Sequence, residues 1–113
     1  MLLRYLLALA LTLAVEVPLG TLALRYGSRI PARRAARLCV GVNLATHPVL
    51  WWGLALGPAG PAYPLMLLGA EAAACAVEWA LLRWRIGHDG PLLAAVVVGT
   101  NAASVAAGLV VLP

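Results

Sequence analysis

The sequence predicts an all-α, polytopic membrane protein with four transmembrane helices arranged as two parallel helical-hairpin repeats. Three observations carry that prediction. The chain of 113 residues is 64% hydrophobic and only 11% charged, with a mean hydropathy of +0.96, whereas a soluble domain is roughly half apolar and about a quarter charged. Its apolar residues fall into four segments of about 20 residues, the length that crosses roughly 30 Å of hydrocarbon. Its basic residues, all arginine, concentrate in two of the three connections.

Segment one covers about 2–24. Its short N-region and apolar run have the look of a signal peptide, but no A-x-A-type site precedes Pro18 and Glu16 interrupts the apolar stretch, so it reads as a retained helix. Pro18 removes a backbone donor and is expected to kink it. Segment two, 35–56, follows a connection holding Arg25, Arg29, Arg33, Arg34 and Arg37. The uncharged, helix-breaking link 57–62 leads to segment three, 63–82. A second basic connection, with Arg83, Arg85, His88 and Asp89, leads to segment four, 91–112, which opens on Pro91 at a favoured helix start. Residues 1–113 thus form a single transmembrane domain.

The positive-inside rule places both arginine-rich connections in the cytoplasm and both termini outside the cell (inner) membrane, with Arg4 the one dissenting charge. Tyr5, Trp51, Trp52 and Tyr63 then fall near the outer interface, and Tyr26, Trp79 and Trp84 near the inner one. The net charge of +4 is a topological signal, not a nucleic-acid surface. Cys39 and Cys75, inside apolar segments, read as small buried hydrophobes.

The halves match in order. Ala14-Val15-Glu16 corresponds to Ala76-Val77-Glu78, and Gly41-Val42-Asn43-Leu44-Ala45-Thr46 to Gly99-Thr100-Asn101-Ala102-Ala103-Ser104. Two hairpins, 1–57 and 58–113, would therefore repeat a Glu-helix, a basic connection and an Asn-helix, related by an axis along the membrane normal.

Polar residues inside lipid are costly, and by default they face the bundle interior or a water-filled cavity. Asn43, Thr46 and His47 stand at i, i+3 and i+4 and share one face of segment two. Glu71, Cys75 and Glu78 share a stripe of segment three, and Asn101 and Ser104 a stripe of segment four. Counting from the arginines at about 1.5 Å per residue puts Glu16, His47, Glu71 and Asn101 in one layer near the membrane middle, with Asn43 and Glu78 shallower. Gly41, Ala45, Gly99, Ala103, Ser104 and Gly108 are expected to let helices approach closely.

Glu16, Asn43, Thr46, His47, Glu71, Glu78, Asn101 and Ser104 are accordingly the candidate proton- or cation-binding residues. Carboxylates and an imidazole at different depths are the parts of a proton relay. The bland alternative is interhelical hydrogen bonding, worth about 1 kcal/mol per bond in membranes, as in a structural or assembly subunit of a membrane complex. An intramembrane enzyme is the third reading, weakened because H-E-x-x-H, G-x-S-x-G and a phosphate-binding glycine loop are all missing. One histidine with scattered carboxylates lacks compact metal-ligand spacing, and no cofactor is specified. The expected partners are the lipid bilayer and a second copy or another membrane subunit.

The pattern Glu16-x-Pro18, Asn43-x-x-Thr46-His47-Pro48 with Trp51, Glu71 with Glu78, and Asn101-x-x-Ser104 resembles an uncharacterised family of small bacterial four-helix integral membrane proteins with an N-x-x-T-H-P segment. The resemblance implies the four-helix membrane architecture and no activity, ligand or catalytic residue.

Overall fold

The computed structural model describes residues 2–56 and 63–111, all of them helical apart from two short turns. Four helices follow one another: α1 (Leu2–Gly27), α2 (Ala32–Leu56), α3 (Tyr63–Ile86) and α4 (Gly90–Val111). The expected link over 57–62 lies outside the described residues, as does the side chain of Tyr63. α1 packs on α2 and α4, and α3 packs on the same two, while neither diagonal pair is in contact among the described residues. The result is an up-down-up-down square, 43 Å along its longest axis and 23 × 20 Å across.

Helices α1, α2 and α3 extend further than the apolar runs suggest, because arginine is a good helix former and the breakers lie beyond it. Arg25, Arg33, Arg34, Arg37, Arg83 and Arg85 sit on helical turns; only Arg29 lies in a turn. The basic connections are thus reduced to residues 28–31 and 87–89. At the first, Arg29 adopts a left-handed backbone (φ 57°). This brings the Ile30 N–H back to the Leu24 carbonyl at 3.2 Å, which also accepts from Ser28 N at 3.1 Å. At the second, Gly87 (φ 85°) closes α3, its N–H donating to Arg83 O at 2.8 Å, as glycine does at helix C-termini. Two long-range bonds stitch this end together: Arg34 donates to Arg85 O at 2.9 Å, and the Trp79 indole to Gly90 O at 2.9 Å.

Three helices, over Leu3–Gly27, Leu65–Ile86 and Gly90–Val111, are long and apolar enough to cross a membrane. Only 17% of each span's most apolar window is buried inside the bundle, so most of the apolar surface faces outward, as lipid contact requires. α2 is not among the candidate spans. Its apolar run is broken by Asn43, Thr46, His47 and Pro48, and its first turns carry three arginines. α1 and α2 nonetheless remain helical past Pro18 and Pro48.

The core lies toward the basic end. Leu24, Ile30, Ala35, Cys39, Val42, Leu82, Ile86, Leu93 and Val97 form one buried cluster, with Leu24 and Leu93 fully enclosed. Cys39 and Cys75 are free thiols, Cys39 buried in that cluster and Cys75 partly buried against it.

The glycine expectation fails. A Cβ at Gly41, Gly99 or Gly108 would meet nothing within 4 Å, and Gly41, Ala45 and Gly99 are exposed. Helical geometry explains this: Gly41 and Ala45 lie two residues either side of Asn43, about 200° around the helix from the buried polar stripe, and Gly99 stands in the same relation to Asn101. The close approach occurs instead at Gly20, four residues after Glu16 and on its face, where a Cβ would stand 2.6 Å from Cys39 Sγ.

Candidate functional site

Beyond the core, the four helices line a partly open cavity of about 380 Å³. All eight sequence-derived candidates line it: Glu16 from α1, Asn43, Thr46 and His47 from α2, Glu71 and Glu78 from α3, and Asn101 and Ser104 from α4. The helical periodicity that put each set on one face is therefore sufficient to bring them together. Glu16, Asn43, Thr46, His47, Glu78 and Asn101 are buried; Glu71 and Ser104 are partly so.

A polar knot forms the cavity's floor, with Glu78 at its centre. Thr46 donates to Glu78 Oε1 at 3.0 Å, and Asn101 donates to Glu78 Oε2 at 2.5 Å, so one carboxyl joins α2, α3 and α4. Asn101 uses its second N–H on Val97 O at 2.8 Å, and Asn43 makes the equivalent bond to Cys39 O at 2.8 Å. Thr46 also has Val42 O at 3.0 Å. With one hydroxyl hydrogen and two acceptors in range, Thr46 donates to Glu78 when that carboxyl is ionised. When the carboxyl is protonated, Thr46 accepts from it and donates to Val42 O. On the opposite side Ser104 donates to Thr12 Oγ1 at 3.3 Å. A void of about 20 Å³, bordered by Glu16, Asn43 and Glu78 and large enough for one water, separates this knot from the core.

Glu78 is the hub of this hydrogen bonding, and no hydrogen bond reaches Glu71 among the described residues.

Further from the basic end, the wall is aromatic. His47 stacks on Trp51, with ring centroids 6.3 Å apart and planes 13° from parallel. Tyr5 packs against His47 at 5.5 Å, Trp51 at 6.0 Å and Trp52 at 5.9 Å. Among the described residues, His47 Nδ1 and Trp51 Nε1 are buried without a hydrogen-bond partner. Trp51 is thus a cavity residue, and with Thr12 it belongs to the site although neither was among the eight. The signal was present: Trp51 is four residues after His47, and Thr12 four before Glu16. Tyr26 and Trp84, by contrast, are 77% and 74% exposed at the basic end, as an interfacial position requires.

No arginine lines the cavity, and three carboxyl groups do. Among the described residues, no group of three His, Cys, Asp or Glu side chains is placed to hold a metal ion. No family model, curated protein or solved structure matches this chain.

Proposed function

We propose that this is a small multi-pass protein of the cell membrane that couples the movement of a proton or another cation to its buried Glu/His/Asn layer. The carrying observation is that Glu16, Glu71 and Glu78 share one cavity that no arginine lines. Ionisable groups at such depth attract and exchange cations. The two alternative bonding states of Thr46 at Glu78 give the carboxyl a satisfied neighbour whether it holds a proton or not.

In this reading all four helices cross the membrane. α2 does so because its polar stripe faces the cavity and its apolar side faces lipid. The basic end lies in the cytoplasm with both termini outside, following the arginine asymmetry. The chain is a member of the small bacterial four-helix family it resembles, built from two parallel hairpins. One feature supports the duplication: Asn43 and Asn101 bond the carbonyl four residues back in the same way.

A second reading has its own support, since the Glu78 knot ties three helices together as a purely structural or assembly subunit would need. Reconstituted vesicles loaded with a pH-sensitive dye separate the two. A pulse of Na⁺, K⁺ or tetramethylammonium should produce a protein-dependent change of internal pH, abolished in Glu16→Gln and Glu78→Gln variants that remain folded. No change with any cation would favour the structural role, and unaltered flux in both variants would remove Glu16 and Glu78 from the coupling.

A further inference from the structure

We infer that the cavity takes an organic ammonium ion carrying a compact hydrophobic body, in preference to a bare inorganic cation. This rests on the cation-coupled reading and names the substrate class of the same site. Three observations converge on it.

Size is the first. About 380 Å³ falls in the range of small-molecule sites, roughly 300–1,000 Å³, and far exceeds what a dehydrated metal or alkali ion fills. The second is ligand geometry. An inorganic ion needs several oxygens converging within about 2.0–2.6 Å, but Glu78 has both carboxyl oxygens engaged by Thr46 and Asn101. The three carboxyls are offered from different turns and helices, with no metal-holding group among the described residues.

The third is the division of the lining. Glu16 and Glu78 lie at the floor, Glu71 stands about two turns further along α3, and the remaining walls are largely leucine, valine and the stacked His47–Trp51 pair. A ligand with a cationic group and an apolar body matches that mixed lining. An ammonium group over the face of an indole also gains a cation–π contribution, and Tyr5 packs against the His47–Trp51 pair.

The probe is 2-phenylethylammonium, with the near-isosteric neutral 2-phenylethanol as its control, measured by equilibrium dialysis against the purified full-length protein and empty micelles. Saturable binding of the ammonium is expected, with the alcohol no better than in empty micelles. Glu71→Gln, which breaks no hydrogen bond, should weaken binding about tenfold, as loss of a charge-assisted contact does. Trp51→Ala should weaken it by a similar factor, roughly tenfold, and Trp51→Phe should restore most of it, which separates ring recognition from misfolding. Equal binding of alcohol and ammonium would overturn the assignment. So would ammonium binding no greater than micelle background while Na⁺ or K⁺ still drives the pH change; the cation-coupled reading would then survive alone. Absence of both binding and flux defeats both.

Discussion

At the basic end of the bundle Leu24, Ala35 and Leu93 are wholly enclosed, turns bond back onto helix ends, and Arg34 and Trp79 reach across to neighbouring backbones. At the far end the same four helices stand around a cavity with carboxyls, an imidazole and an indole on its walls. The sequence difference behind this is small. Facing positions at one end carry leucine, isoleucine and valine, which interdigitate; at the other, the inward stripe carries Glu, Asn, Thr and His, which bond in pairs and leave space between pairs. A rigid base with a hollow upper half is the division of labour expected where a site must be held in place without being filled.

Truncating leucines at the two ends tests this most strongly. In lipid the hydrophobic transfer term between helices largely vanishes, leaving packing as the main loss. Leu24→Ala and Leu93→Ala should therefore fall near the lower end of the soluble range, about 2 kcal/mol. Leu67 already borders the cavity, so Leu67→Ala removes few contacts and should cost less than about 1 kcal/mol. Unfolding in mixed micelles measures all three. Equal losses at Leu67 and Leu24 would mean that the two ends are packed alike.

Glycine substitutions sharpen the contrast between inward and outward faces. At Gly20 a methyl group would meet Cys39 Sγ at 2.6 Å, so Gly20→Ala should destabilise by about 1–3 kcal/mol, the usual cost of overpacking. The double variant Gly20→Ala/Cys39→Ala should recover most of it, because the obstructing sulfur is gone. Gly41→Ala and Gly99→Ala meet open space and should be neutral or gain up to about 1 kcal/mol in helix propensity. A large loss at Gly41 would show that its exposed face is covered by another chain.

Much of this was legible in the residues, for identifiable reasons. Segment lengths and apolar runs give four helices, and i, i+3, i+4 spacing gives the polar faces, since both depend on local geometry alone. Helix ends were misplaced by up to four residues, because arginines were taken as loop when they continue the helices. The role of Trp51 and the exposure of Gly41 depend on how each helix is rotated about its axis. Periodicity fixes that only relative to the stripe on the same helix, and applying it two and four residues from Asn43 and His47 would have placed both correctly.

The smallest effect concerns the turn at the basic end, where charge rather than packing is at issue. His88, with its Nδ1 protonated, donates to Asp89 Oδ2 at 2.7 Å, and this bond holds the Asp89 carboxyl below its ordinary value of 3.8. The sign follows from linkage: a carboxyl whose folded value is depressed adds stability that is complete above the unfolded value and is lost as pH falls through the folded one. Both side chains are exposed, so solvent and salt screen the pair and the contribution is slight. The carbonyl of Asp89 still receives Leu93 N at 2.9 Å whatever the side chain carries, so α4 keeps its first helical bond. Asp89→Asn should therefore leave neutral-pH stability almost unchanged and remove only a shallow acid-side slope below about pH 4. A slope that persists in the variant belongs to another group and would move the search to the cavity carboxyls.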